Sequence, residues 1–323
     1  MGATLRTATG WIEAAREACT AAERDGMLSD RGRGVLSGFS GEKLIGTLQR
    51  LVGLTCNDTR AYVEVGVFQG LTLLSVASAH PEVMCVGIDN YSQCDPEGKN
   101  EAVVHERVAN LGLSNVALVN DDFERALVNA EGWLEGRSIG VCFIDGPHDY
   151  RAQLIGLLYV ERFLSERCVM VVDDANYPHV RQATADFLNA RPEFALLMQA
   201  YTPAHPSNMT PDQKASAVKG WWNGVNVIVR DPERRLERRF PPVSHQGLHA
   251  MTHNAFGMEF AELGYEALRL CHAMAGGSKA RTEAELSTLM PAMKAHREGN
   301  PGRFYQMNTY SAGLTAFDVA EAE

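Results

Sequence analysis

Ala61-Tyr62-Val63-Glu64-Val65-Gly66-Val67-Phe68-Gln69-Gly70 is the stretch on which the fold turns. An apolar run carries an acid near its end, two glycines flank a short loop, and Leu71 to Ala79 then has helical character. That order spells strand, tight turn and helix, with the acid at the carboxyl end of the strand. Open α/β sheets bind their ligands at that edge. Glycines let backbone approach a ligand closely, and a helix start offers unpaired N–H donors. Such turns also follow buried strands that bind nothing, so the remainder of the chain has to decide.

Working outward, the region from 61 to 232 alternates strand and helix. Strands are expected at Tyr62–Val67, Val83–Asp89, Val116–Asn120, Ile139–Asp145, Cys168–Asp173, Phe194–Tyr201 and Val225–Arg230. Helices are expected at 71–79, 98–111, 123–134, 150–164 and 178–190. Most strands are near-continuous apolar runs, which suits a parallel sheet covered on both faces. The last connection differs: a polar excursion from His205 to Gly220 precedes Trp221-Trp222. A strand returning by that route lies antiparallel to its neighbour. The expected fold class is α/β, a doubly wound, seven-stranded, mostly parallel sheet of the Rossmann-like kind.

Both ends read as helical extensions. Residues 10–25 and 41–54 carry apolar positions at helical spacing, joined by a Ser/Gly/Arg-rich connector from Ser29 to Gly41. We read 1–60 as an opening helical segment or lid. Beyond Pro241-Pro242, residues 245–275 and 281–297 have helical periodicity. The expected domains are therefore 1–60, 61–232 and a helical extension at 233–323.

Composition narrows the function classes. Of 323 residues, 45% are hydrophobic and 22% charged, ordinary for a soluble globular protein. With 40 acids against 30 bases the net charge is −10, and no basic stripe runs longer than Arg234-Arg235 and Arg238-Arg239. That argues against a nucleic-acid groove. The seven cysteines form no C-x-x-C pair, so zinc spacing is missing and a reducing compartment is implied. Met1 to Ala22 has charges throughout and no continuous apolar stretch, unlike a signal peptide or a membrane span. A cytoplasmic enzyme with a small-molecule substrate is expected.

The strand ends carry the chemistry. They read Glu64-Val65-Gly66, Gly87-Ile88-Asp89, Asn120-Asp121-Asp122, Phe143-Ile144-Asp145-Gly146 and Val172-Asp173-Asp174. Five consecutive strands thus deliver acids to one edge. Unpaired acids are costly to bury, so each needs a partner there. The first three groups suit an adenosyl ligand. Asp89 can accept from both ribose hydroxyls. Asp121 or Asp122 can accept from the adenine amine, and Glu64 can orient the glycine loop or meet a cationic ligand. NAD requires G-x-G-x-x-G, so that the second glycine clears room for the pyrophosphate. Here Phe68 stands in that place, between Gly66 and Gly70. S-adenosylmethionine carries no phosphate, and its loop tolerates Phe68.

The later acids suit a divalent cation. Neighbouring strands lie about 4.8 Å apart, which brings Asp145 and Asp173 together, with Asp174 next in line. Like charges that close share a proton or hold a cation. Oxygen ligands favour magnesium, calcium or manganese, and Asn176 would add a neutral oxygen. His148, three residues past Asp145, can take a proton near neutral pH.

These motifs have a counterpart. The runs Val63 to Gly70, Gly87-Ile88-Asp89, Phe143-Ile144-Asp145-Gly146-Pro147-His148-Asp149-Tyr150 and Val171-Val172-Asp173-Asp174 resemble the class I S-adenosylmethionine-dependent methyltransferases. Within these they look closest to the magnesium-using branch typified by macrolide-sugar and catechol-type O-methyltransferases. The likeness covers 61–232, and Phe-Ile-Asp-Gly-x-His-x-Tyr is its most specific part. It implies Asp145, Asp173 and Asp174 as metal ligands and His148 as the basic residue beside them, with Asp173 and His148 catalytic. The cofactor side falls to Glu64, Gly66, Phe68, Gly70 and Asp89, joined by Asp121, Asp122 and Asp145. Pro147 departs from the pattern, which often has an acid there.

The expected reaction is metal-assisted O-methylation of a sugar-like or natural-product-like hydroxyl. Rival readings are a metal-independent N-methyltransferase of a small amine, an NAD-dependent oxidoreductase, and a non-catalytic adenosyl-binding module. His245, His249 and His253 share a helix face and read as a wet or interfacial surface. Trp221 and Trp222 either anchor the return strand or wall an acceptor pocket. The helical extensions, with a stripe at Met251, Phe256, Phe260 and Leu263, suit closure over the site or a homo-oligomer interface.

Overall fold

The computed structural model describes residues 8–29, 34–243, 263–299 and 313–322. Its apolar runs pair into one sheet: β1 Arg60–Val65, β2 Cys85–Ile88, β3 Val116–Val119, β4 Ser138–Ile144, β5 Leu164–Asp173, β6 Phe194–Ala200, β7 Val225–Arg230 and β8 Asp318–Val319. Their spatial order is β3-β2-β1-β4-β5-β7-β6-β8. The first five strands pair in parallel, and β7 slots antiparallel between β5 and β6. Order reverses between β1 and β4, the switch point at which such sheets open a crevice.

Register puts the strand ends level. Val65 pairs with both Ile88 and Ile144, and Ile144 pairs with Val172. The next residue of each strand therefore emerges at the same edge: Gly66, Asp89, Asp145 and Asp173. Alternation along β1 sends Tyr62 to one core, and Ala61, Val63 and Val65 to the other. On the first face pack the helices α1 Ala8–Asp25, α2 Glu42–Thr55, α3 Leu71–Ala79 and α4 Asn100–Leu111. The second face is covered by α5 Phe123–Val128, α6 Ala130–Leu134, α7 Tyr150–Val160 and α8 Pro178–Ala190. Both cores are built from fully buried aliphatic and aromatic side chains, which is why the strands lack a polar face.

Three differences from the sequence reading have local causes. The helix expected over 123–134 breaks at Asn129, whose side-chain amide donates to the Arg125 carbonyl and competes with the helix ladder. The helix expected over 150–164 ends at Val160 and tightens into a single 3-10 turn, Glu161–Phe163. An eighth strand, β8, pairs with Met198 and Gln199 on the outer edge of β6. Two residues are too few for a period-2 signal. What holds β8 is tertiary: Phe317 stacks on Trp221 at 5.8 Å, and Asp318 pairs with Arg239 at 2.7 Å. This short strand covers an edge that would otherwise stay open.

The excursion before β7 carries α9, Pro211–Lys219, closed at its start by a Thr210/Gln213 capping box. Trp221 follows, buried, and its indole N–H donates to Glu23 of α1 at 2.8 Å. Helices Gly264–Ala275 and Lys279–Gly299 pack on each other. The rest of the helix expected over 245–275 lies outside the described residues, as do His245, His249, His253, Met251, Phe256 and Phe260. Among the described residues, no helix is long and apolar enough to cross a membrane.

Gly66 joins the fold to the site. Its φ is +92°, and a Cβ there would lie 1.9 Å from the backbone oxygen of Asp145. Two strand ends are thus in direct backbone contact, which only glycine permits. Gly66→Ala is expected to lower stability by about 2–4 kcal/mol, measured by urea denaturation, because the contacting atom is backbone and cannot swing away.

Candidate active site

A cleft of about 600 Å³ opens at the carboxyl edge of β1, β2, β4 and β5. One wall is the glycine loop. Asp89 holds it shut: its Oδ2 accepts from the backbone N–H groups of Val67 and Phe68, each at 2.8 Å. Its Oδ1 accepts from Tyr91 N at 2.7 Å. The carboxylate lines the cleft and retains lone pairs for further donors, since each oxygen can accept more than one bond. Asp121 and Asp122 line the same wall. Asp121 is in a two-pronged ion pair with Arg125, while Asp122 caps α5 by accepting from Glu124 N and Arg125 N. Each thus has a structural partner before any ligand arrives.

Two expected cofactor residues do not reach the cleft. Glu64 is fully buried beneath the loop, and its two oxygens accept from Tyr62 Oη and Thr72 Oγ1, both at 2.6 Å. It braces the strand–helix junction and is closed to a cationic ligand. Burial pushes its carboxyl up to about 8, against the pull of those two hydroxyls. Gly70 makes the left-handed turn into α3, with φ +80°, and its Cβ position faces Leu74 and Val104. Gly66 and Phe68 do line the cleft.

The second wall is the acidic cluster. Asp145, His148 and Asp174 each offer a ligand atom, and these atoms lie within 4.8 Å of one another. His148 Nε2 is 2.5 Å from Asp174 Oδ2 and 3.7 Å from Asp145 Oδ1. Asn223 donates to the other oxygen of Asp174. The metal set expected from sequence is revised here: Asp173 stays outside this group and His148 enters it. The reason is backbone geometry. Asp173 ends β5 within the sheet, still paired with Val225, and is buried. Asp174 has φ +55°, a left-handed turn that swings its carboxylate into the cleft. One oxygen of Asp173, Oδ1, is buried without a hydrogen-bond partner among the described residues.

Electrostatics separates these acids. Burial raises Asp145 to about 7, opposed by its hydrogen bond to His148 and reinforced by Asp174. Burial, then the charges of Asp145 and Asp174, push Asp173 well above the usual carboxylate range. Asp174 runs the other way: burial alone would raise it, but His148 and Asn223 together hold it below the ordinary value. One carboxylate is thus ionised against an imidazole while its neighbours favour the proton.

Asn176 has a role different from the expected neutral ligand. It is buried away from the cluster, and its amide donates to Thr202 O, Thr202 Oγ1 and Ala204 O. Arg181 holds the same turn, donating to the carbonyls of Ala175 and Asn176. These bonds fix the start of the β6–β7 excursion against the end of β5. Tyr177 then stacks on His148 at 5.8 Å and against His205 at 5.8 Å. Behind them His179, lowered to about 4 by burial, contacts the His148 carbonyl through Nε2.

The mouth is aromatic. Phe39, 59% exposed, stacks on Phe68 at 5.0 Å and on Trp222 at 6.1 Å. The connector read as a lid thus places Gly38, Phe39 and Ser40 on the cleft. Trp221 anchors while Trp222 lines the opening, so the adjacent pair divides the two roles. Phe68, Cys94, Asp174 and Trp222 all line the cleft with φ between 49° and 55°. Left-handed conformations in non-glycine residues gather at functional sites, where the surroundings over-determine them. Sequence reasoning missed His205, Ser207 and Lys214, which line the cleft from the polar excursion. No periodic pattern flags them.

Comparison with known proteins agrees with this geometry. Residues 63–175 match the model of a family described as a methyltransferase domain. No curated protein matches the chain. Among solved structures, the O-methyltransferase TomG from Streptomyces achromogenes, in complex with SAM, is 16% identical with a TM-score of 0.45, over 67% of this chain and 89% of that one. Cofactor-bound Rv0187 from MTB is 19% identical with a TM-score of 0.40, over 70% and 93%. An O-methyltransferase from Bacillus cereus in complex with SAH is 14% identical with a TM-score of 0.39, over 68% and 90%. The matched segment, similar to a methyltransferase domain, runs from within β1 past the end of β5 and so includes the strand ends that open the cleft at the sheet's switch point.

Glu64 supplies a test of the brace under the loop. Its carboxyl titrates near 4.5 when unfolded and near 8 when folded. The folded chain therefore keeps a proton that the unfolded chain has released. Its contribution to stability is intact below about pH 4.5 and is lost as pH rises toward 8. Glu64→Gln cannot ionise and is expected to flatten this fall by up to about 4 kcal/mol between pH 5 and 8. Urea midpoints at the two pH values read it, and the slope that remains is the balance of Asp145 and Asp173 against His179 and His205, whose lowered values act in the opposite direction.

Proposed function

We propose that the chain methylates a hydroxyl of a small molecule with the help of a divalent cation held by Asp145 and Asp174 beside His148. The observation that carries this reading is the convergence of these three side chains in the cleft next to the glycine loop. The donor set fits a cation. Two carboxylates and an imidazole meet at one point, and a third carboxylate behind them has a buried oxygen without a partner among the described residues. With all three carboxylates ionised, the negative charge there would exceed what one imidazole neutralises, and a bound cation would favour that state. Carboxylate oxygens suit Mg2+ or manganese.

S-adenosylmethionine, when bound, supplies a methyl group on a positively charged sulfur. A divalent ion, when bound, lowers the pKa of a hydroxyl that it holds. The chain does the rest. Gly66 and the backbone of Val67 and Phe68 shape the donor side, and Asp89 accepts from a ribose. His148 takes the acceptor's proton, and Asp174, which its Nε2 faces at 2.5 Å, stabilises the resulting imidazolium. Phe39, Phe68 and Trp222 exclude water from the mouth. Methyl transfer is an in-line displacement, so alignment by these walls is the main task of the protein.

One observation favours a second reading. His148 already sits between Asp174 and Asp145, so an imidazolium could neutralise the cluster without an ion and leave an acidic cleft for an amine. Metal removal separates the two. Chelation is expected to abolish methylation of a vicinal diol or catechol, and added magnesium or manganese to restore it. Asp145→Ala and Asp174→Ala should each lose at least about 100-fold in kcat/KM, and His148→Ala a similar amount. Full turnover after chelation, on an amine acceptor, would replace the first reading with the second.

A further inference from the structure

Five aspartates line the cleft: Asp89, Asp121, Asp122, Asp145 and Asp174. Against this acidic lining, the β6–β7 excursion contributes donors. Lys214 is the single lysine or arginine on the cleft wall among the described residues. It lies on α9, and its ammonium has neither an ion pair nor a hydrogen bond among the described residues. Arg125, by comparison, is already committed to Asp121. Lys214 is exposed, so its ammonium is solvated and open to a ligand that brings an anion.

His205 completes the set. Its Nδ1 accepts from Ser207 N at 3.1 Å, so the neutral ring carries its hydrogen on Nε2 and can only donate there. The ring packs against Tyr177, which in turn stacks on His148. His205 is therefore one ring removed from the reacting centre. It is also on a different element from the adenosyl wall of Asp89, Asp121 and Asp122. Ser207 adds a hydroxyl on the same wall.

We propose that Lys214 and His205 form an anion-binding subsite that selects acceptors bearing a carboxylate about one ring's width from the hydroxyl that is methylated. This rests on the methyltransferase reading of the same cleft. Charge-assisted hydrogen bonds from an ammonium and an imidazole are the strong kind. A carboxylate can accept from both at once, whereas an uncharged amide would leave the lysine unsatisfied.

Calorimetry on the full chain, loaded with S-adenosylhomocysteine and magnesium, tests this with 3,4-dihydroxybenzoate against its amide. The benzoate is expected to bind about tenfold tighter. Lys214→Ala should erase most of that preference, Lys214→Glu should invert it, and Lys214→Arg should keep it. The amide, lacking the charge, reports any general damage to the cleft. Equal affinities in the native chain, binding of neither compound, or a preference that survives Lys214→Glu would overturn the subsite. So would a loss of S-adenosylhomocysteine affinity in Lys214→Glu, which would assign the lysine to the donor's own carboxylate. Turnover is scored separately. Methylation of both compounds without a charge preference overturns the subsite and leaves O-methylation standing. A binding preference with neither compound methylated retains the subsite and overturns O-methylation of this acceptor class.

Discussion

Carboxylates crowded at one sheet edge, more than a single imidazole can neutralise, are the constraint on which the rest of the structure hangs. Asp145 and Asp174 converge on His148, with Asp173 buried behind them. Such a group is unfavourable in a folded chain unless each charge has a counter-group, because low local dielectric magnifies repulsion as well as attraction. The chain answers with a division of labour. Asp174 is kept ionised by His148 and Asn223, while burial moves Asp145 and Asp173 toward their protonated forms. On the proposed reading, such a site would offer both a proton acceptor and a seat for a cation.

A second layer keeps this arrangement in place. Asp174 reaches the cleft only through a left-handed turn, and that turn is held on several sides. Ala175 N and Asn176 N donate to the carbonyls of Gly224 and Asn223, and Arg181 holds the carbonyls of Ala175 and Asn176. The Asn176 side chain extends the bracing to Thr202 and Ala204. The residues that fix the acid therefore also fix the root of the excursion carrying His205 and Lys214. The proposed chemistry and the proposed acceptor subsite therefore share one support. On the opposite wall Asp89 plays the equivalent part, tying the glycine loop to the end of β2.

Much of this was legible in the order of residues. Near-continuous apolar runs such as Val169 to Val172 can only be strands buried on both faces, and their alternation with helices leaves a parallel sheet as the solution. Parallel strands end level, so acids placed at successive strand ends must share an edge. That inference needed no coordinates, and it located Asp89, Asp145 and Asp174 on the cleft. It placed Glu64 at the loop but did not choose between orienting that loop and meeting a cationic ligand. One position before the end of β1, its side chain follows the pleat into the core beneath the loop. Nor did it separate Asp173 from Asp174, since adjacent residues differ in direction by a backbone turn that no side-chain type announces.

The sequence by itself determined the sheet, its parallel order and the edge where function gathers, because hydrophobic periodicity and strand-end chemistry are local properties. Tertiary structure alone decided which acids face the cleft, that His148 joins them, that Phe39 and Trp222 meet across the mouth, and that the Lys214 ammonium is unpaired among the described residues. Those facts depend on φ angles at single residues and on segments far apart in the chain brought into contact. Nothing in a linear pattern encodes such distances.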